Sequence, residues 1–368
     1  MECCKNSHSN KNMPIGIKEN NLFDNSETIV SLRDLTNQTI IFVDSIITNL
    51  SLEEVVGQLF MPALNADTTY RNTALLKKYI EDDHVGGIVI MNGSIEAVRI
   101  INHISKMSKI PMFIAIDAEW GLGMRLLGAP VYPKNGYIKE DIEEINLYDY
   151  GREVAIQCGD IGINMVLGPV IDVNSTGEGF IGKRSFGNDP VKVARLGVAY
   201  AKGLESAGVI SIAKHFPGHG SSIIDSHKIA AVNKKNISEL DTIDFLPFRL
   251  YIDNGLTGIM AGHILLPSID KEGLPASVSE TVLKVLLRDE MGFTGLVLTD
   301  AFNMGGVKGY EPWQSLKSGA DIVLCPENVE EAIKETIYQI RKGELDYKEI
   351  IEHCRRIIFT KAIFGLWN

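Results

Sequence analysis

Short, continuously apolar runs recur along the chain, each bounded by Gly, Pro, Asn or Asp: QLFMPAL (58–64), GGIVIM (86–91), MFIAID (112–117), NMVLGPV (164–170), GVISIA (208–213), GIMAGHI (258–264), GLVLTD (295–300) and DIVLCP (321–326). Continuous rather than alternating apolarity marks strands buried on both faces, as in a parallel sheet covered by helices. Between the runs lie segments with helical periodicity. SIEAVRIINHISKM opens on Ser94, and DIEEINLYDYGREVAIQCG follows a loop. DPVKVARLGVAYAKGLESAG begins with Asp-Pro and ends in Gly, SETVLKVLLRDEMG begins with Ser279, and ENVEEAIKETIYQIRKG closes the series. Ser or Asp before the first turn and Gly after the last are helix start and stop signals.

Eight strands alternating with helices predict a single (β/α)₈ barrel of the TIM type, with a doubly wound open sheet as the competitor. Residues 1–38 are polar, Asn-rich and aperiodic, which predicts a disordered extension ahead of one domain over 39–368. Polar side chains favour the barrel. Asp117, Asp172, Lys214 with His215, His263 and Asp300 fall at the same ends of five successive runs. In a barrel these ends converge on one pocket, whereas an open sheet spreads them along an edge.

The net charge of -11 argues against nucleic acid as the main partner. No run of about 18 apolar residues occurs, so no membrane insertion is expected. The N-terminus lacks the apolar core of a signal peptide, which implies a cytoplasmic protein, or a periplasmic one if the start is misassigned. Five cysteines, an odd number without metal-ligand spacing, read as core residues rather than disulfides.

The stretch 214-KHFPGHGSSIIDSH-227 concentrates chemistry. His215 and His219 are four apart, but Pro217 and Gly218 break any helix between them, so a metal site is disfavoured. GLGMRLLG (121–128) lacks the full dinucleotide fingerprint, so no dinucleotide-binding phosphate cradle is expected. Asp225 and His227 are two apart in extended loop, where a carboxylate can fix the imidazole tautomer for proton transfer; the same spacing also occurs in ordinary surface loops. Asp300, closing an apolar strand, suits a nucleophile, a base or a metal ligand, or else a helix cap.

Taken together these motifs resemble the glycoside hydrolase family 3 β-N-acetylhexosaminidases, most closely the NagZ-type β-N-acetylglucosaminidase branch, over about residues 43–366. KHFPGHG followed by DSH carries the resemblance, with 165-MVLGPVIDVNSTGEGFIGKRSFGNDP-190, 50-LSLEEVVGQLFM-61 and 295-GLVLTDAFNMGGV-307. The resemblance implies Asp300 as nucleophile, His227 with Asp225 as acid/base dyad, and Asp117, Arg125, Arg184, Lys214 and His215 as sugar-binding residues. It implies a retaining exo-hydrolase of terminal β-linked N-acetylglucosamine, acting on cell-wall muropeptides or related oligosaccharides, with no metal and no cofactor. Because the base is a neutral imidazole, transfer to phosphate is the alternative outcome, and a non-catalytic sugar-binding barrel is a third. Two positions depart from the common pattern: Trp120 in 117-DAEWG-121 stands where glycine is usual, and Ala301 stands where a second Asp is usual.

Overall fold

Every one of the eight apolar runs contains a strand in the computed structural model, which describes residues 32–138, 142–177, 179–222 and 229–367. In chain order the strands are β1 (Phe60–Met61), β2 (Ala63–Ala66), β3 (Gly87–Ser94), β4 (Phe113–Ile116), β5 (Leu126–Leu127), β6 (Met165–Val166), β7 (Ile210–Phe216), β8 (Ala231–Val232), β9 (Gly258–Ala261), β10 (Ile264–Leu265), β11 (Leu296–Thr299) and β12 (Val323–Leu324). All residues of β4, β7, β9 and β11 are buried, which is why their runs show no polar alternation.

The main sheet has the order β11-β9-β7-β6-β4-β3-β2 with parallel pairing throughout, and β5 lies beside β3. Strand order follows chain order without the reversal that defines a doubly wound sheet. β1, separated from β2 only by Pro62, pairs with β12 at the other end of the chain, with Phe60 opposite Val323. β12 meets β11 through one isolated bridge, Leu298 to Ile322. The fold is therefore α/β with a mainly parallel sheet under helices, and ladder pairing around a closed ring is not continuous.

Helix ends follow the expected chemistry. Ser94 Oγ accepts the Ala97 N–H at 3.2 Å to cap Ile95–Ser105. Asp189 accepts the Val191 N–H at 2.9 Å ahead of Pro190, the first residue of helix Pro190–Ser206. Asn328 opens Val329–Lys342, and Gly343 closes it at φ 83°. Ser279 behaves differently from a simple cap. Its Oγ accepts the Val282 N–H at 3.2 Å, but the helix over Thr281–Glu290 is wound with π spacing, and the Ser279 hydroxyl also donates to the buried Asp270. Helix Leu32–Ile47 crosses the boundary expected at residue 38, so part of the supposed extension is helical; residues 1–31 lie outside the described residues.

Two glycines let neighbouring helices touch through their backbones. A Cβ on Gly151 would sit 2.2 Å from the Tyr200 carbonyl oxygen, and one on Gly203 would sit 2.1 Å from that of Tyr148. Helices Glu144–Gly159 and Pro190–Ser206 thus pack closer than any larger residue allows. Among the described residues no helix is long and apolar enough to cross a membrane, and Cys158, Cys325 and Cys354 are free and buried.

The end of helix Pro190–Ser206 buries an acid. Glu205 accepts Ser211 Oγ at 2.6 Å and the Thr257 N–H at 3.0 Å, while its Oε2 finds no partner among the described residues. Burial outweighs these bonds and pushes its carboxyl up to about 7. A carboxyl raised in the folded state contributes stability that is present below its ordinary value of 4.5 and lost as pH rises through about 7. Glu205→Gln should therefore gain about 3 kcal/mol relative to wild type between pH 5 and pH 8. Urea unfolding at the two pH values checks this; parallel pH dependence of both proteins would contradict it.

Candidate active site

The residues expected at the strand ends come together around one buried lysine. Lys214 lies inside β7 rather than after it, because that strand runs on to Phe216. Its Nζ, 3% exposed, donates to Asp117 Oδ1 at 2.7 Å and lies 2.8 Å from Glu119 Oε1. Asp117, the first residue beyond β4, also receives Arg125 Nη2 on its second oxygen. Glu119 is held in turn by Arg184, through Nε at 3.0 Å and Nη2 at 2.7 Å, a two-point clamp. Burial alone would raise both carboxyls, but the charge of Lys214, with Arg125 for Asp117 and Arg184 for Glu119, holds them below their ordinary values. Burial likewise opposes the charge on Lys214, yet Asp117 and Glu119 together raise its pKa.

Beside this network stands His215. Its Nδ1 lies 2.7 Å from Asp172 Oδ2, its backbone N–H donates to the same oxygen at 3.1 Å, and its Nε2 lies 3.4 Å from Arg184 Nη2. The other Asp172 oxygen accepts the His219 N–H at 2.6 Å. Asp172, fully buried, thus ties the end of β7 to the start of the loop that follows it. His219 is buried with its ring 5.9 Å from that of His215 and 5.3 Å from that of Phe180, which is a bracing position.

Asp300 follows β11 directly and is half-buried. Its N–H donates to the Ala261 carbonyl at 2.8 Å, which fixes it against β9, and its Oδ1 accepts the Ala301 N–H at 2.8 Å. Burial would raise this carboxyl, but the fields of His215, His263 and then Lys214 keep it low and ionised. His263, after β9, lies 2.7 Å from Ser277 Oγ through Nδ1 and 3.1 Å from the Ala301 carbonyl through Nε2. It therefore holds the residue next to Asp300.

Asp117, Arg125, Arg184, Lys214 and His215 are joined by hydrogen bonds or ion pairs, and Asp300 feels the charges of two of them. Asp225 and His227 lie outside the described residues. Glu119, absent from the expected set, is a central member, and the acid in 117-DAEWG-121 was its only signal. Trp120 is half-buried under the ammonium of Lys134, 5.0 Å from the ring centre. Among the described residues no group of three or more His, Cys, Asp or Glu is arranged to hold a metal. Two guanidinium nitrogens of the network, Arg125 Nε and Arg184 Nη1, are buried without a partner among the described residues. Such donors call for an oxygen-rich ligand.

The family model for the glycosyl hydrolase family 3 N terminal domain matches residues 51–359. The chain belongs to glycosyl hydrolase family 3. Membership places it among enzymes acting on glycosidic bonds. It is similar to a beta-hexosaminidase of Neisseria meningitidis serogroup B, 32% identical over 290 residues that cover 73% of this chain and 80% of the relative. A beta-hexosaminidase of Nitrosomonas eutropha is 30% identical over 268 residues, covering 68% and 76%. Among solved structures it resembles a beta-glucoside phosphorylase, BglX, with TM-score 0.84 and 25% identity over 89% of this chain and 62% of the other. A family 3 beta-N-acetylglucosaminidase from Paenibacillus sp. str. FPU-7 gives TM-score 0.79 and 28% identity over 87% and 64%. The chain thus spans somewhat under two thirds of the length of these two solved chains.

Asp172 offers a direct test of the network. Asparagine keeps an oxygen for the His219 N–H but offers an amide where His215 needs an acceptor. Asp172→Asn should lower kcat/KM on an aryl β-N-acetylhexosaminide about 10- to 100-fold, the worth of one or two buried charge-assisted bonds. His215→Ala should cost as much, and the double variant little more. Fully additive losses in the steady-state rates would show that Asp172 does not act through His215.

Proposed function

We propose that the chain is a retaining exo-β-N-acetylglucosaminidase built on a single (β/α)₈ catalytic barrel over residues 39–368. Two features support the barrel reading: the first strand pairs with the last, and strand order follows chain order. The observation that carries the function is the convergence of an ionised Asp300 with the Asp117–Lys214–Glu119–Arg184 network in a family 3 chain. In this reading Asp117 and Lys214 hold sugar hydroxyls, since each carboxylate oxygen keeps a further lone pair. Arg125 and Arg184 offer their unpartnered N–H groups to ring substituents or to the acetamido oxygen. The names of the relatives favour N-acetylhexosamine as the sugar.

The chemistry follows from residue types. Asp300 attacks the anomeric carbon while His227, oriented by Asp225, gives its proton to the leaving oxygen. The glycosyl–Asp300 ester is then cleaved by water that His227 deprotonates, which restores both groups and retains configuration. A low pKa suits Asp300 to this role, because an ionised carboxylate is the nucleophile. Muropeptides and related oligosaccharides are the proposed source of the sugar. Transfer to inorganic phosphate is the second reading, favoured by the similarity to a β-glucoside phosphorylase and by a base that carries no negative charge to repel phosphate.

A panel of β-N-acetylglucosaminide, β-N-acetylgalactosaminide and β-glucoside substrates, assayed with and without phosphate, distinguishes these readings. Free N-acetylglucosamine is the expected product in both conditions, and a dominant sugar 1-phosphate would replace hydrolysis with phosphorolysis. Asp300→Ala should cut kcat on the order of 10³ or more while keeping sugar binding. His227→Gln should cut turnover about 10²- to 10⁴-fold on poor leaving groups and much less on activated aryl ones. Equal losses on both kinds of leaving group would remove His227 from the acid role.

A further inference from the structure

At the opposite ends of the strands lies a second concentration of charge. Asp321, fully buried just ahead of β12, accepts from Arg288 Nη2 at 2.7 Å, Arg356 Nε at 2.7 Å and the Val297 N–H at 2.8 Å, and its Oδ1 lies 2.8 Å from His353 Nδ1, which in turn lies 3.0 Å from Arg356 Nη2. One carboxylate thus faces two guanidinium groups, and one positive charge is left over. Burial lowers the pKa of Arg288, Asp321 opposes this, and the like charge of Arg356 adds to the lowering; the net lies below the ordinary value. The two guanidinium groups on one carboxylate make a local cation excess in a chain whose net charge is -11.

A cleft of about 640 Å³ opens over this cluster between helix Thr281–Glu290 and helix Tyr347–Ile363, with Lys284, Arg288, Lys348, His353 and Arg356 among its walls. Its two acidic residues are already engaged: Glu349 pairs with Lys284 at 3.1 Å and Glu352 with Arg355 at 3.2 Å. Lys348 is exposed and makes no ion pair among the described residues. His353 is 3% exposed, and its Nε2 is buried without a partner among the described residues. An unsatisfied buried ring nitrogen beside an uncompensated charge is costly unless a ligand meets it.

We propose that this cleft binds a small oxyanion of the phosphate or carboxylate class, held by the outer edge of Arg356 and by Lys348, with His353 Nε2–H as a further donor in the tautomer whose Nδ1 accepts from Arg356 Nη2. The site belongs to the face away from Asp300 and does not depend on which sugar the enzyme takes. Its size and small cation surplus suit a small anion rather than a polyanion such as nucleic acid. A ligand bound only by the folded chain would raise its melting temperature by mass action.

The test is thermal unfolding of the full chain at constant ionic strength, with inorganic phosphate or acetate titrated against potassium chloride. The expected result is a saturable rise in Tm with phosphate, and with acetate as well if carboxylates are accepted. The rise should persist in Arg125→Gln, which removes a cation from the Asp300 face, and vanish in Arg356→Gln. Lys348→Glu changes only an exposed position, so it keeps the test open if Arg356→Gln does not fold; it should weaken apparent affinity about tenfold. No saturable rise beyond chloride overturns the proposal, and so does a rise indifferent to Lys348→Glu and Arg356→Gln. A rise lost in Arg125→Gln would assign the anion to the other face and overturn it equally.

Discussion

The burial of Lys214 is the constraint on which the site depends. An ammonium taken out of water costs several kcal/mol unless paired, and here two carboxylates, Asp117 and Glu119, share it. Those carboxylates would themselves be costly to bury, so Arg125 and Arg184 complete their pairing. Removing Asp117 would leave Arg125 without its carboxylate, and removing Glu119 would do the same to Arg184. The network is therefore rigid before any sugar arrives, and the strands β4 and β7 that carry Asp117 and Lys214 fix its position. Preorganised charge of this kind stabilises developing charge without reorganisation during reaction.

Proton transfer is proposed for residues that follow this network in the chain. Asp172 marks the junction: one oxygen belongs to His215, proposed to hold the sugar, and the other accepts the His219 N–H, eight residues before His227 in the chain. One buried carboxylate thus links the group proposed to hold the sugar with the segment proposed to move the proton. Asp300 gains from the same wall, since His215, His263 and Lys214 keep it ionised against the effect of burial. In the proposed mechanism proton transfer falls to a histidine, which leaves the strand ends to acids and cations that need not change protonation state.

Much of this was legible in the sequence, for identifiable reasons. Continuous apolar runs located the strands because strands buried on both faces have no polar register to keep. Caps located helix starts at Ser94 and Asp189 because unsatisfied N–H groups there demand an oxygen. Ser279 misled slightly, since its hydroxyl also donates to Asp270 and the helix behind it is wound with π spacing. Glu119 was missed because nothing local distinguishes it; its partners Lys214 and Arg184 are distant in the chain. The Asp321 cluster escaped for the same reason, as Arg288, His353 and Arg356 each reach it from more than thirty residues away. Aperiodic polar composition also overstated the N-terminal extension, where helix Leu32–Ile47 begins before the expected boundary.

The central claim is that Asp300 forms a covalent bond to an N-acetylglucosaminyl unit. Mass spectrometry of the chain quenched during turnover of a slow fluorinated N-acetylglucosaminyl donor tests it most directly. One added glycosyl mass is expected on the peptide that carries Asp300, released on incubation with water. A label on any other residue, or turnover with inverted configuration and no label, would contradict it.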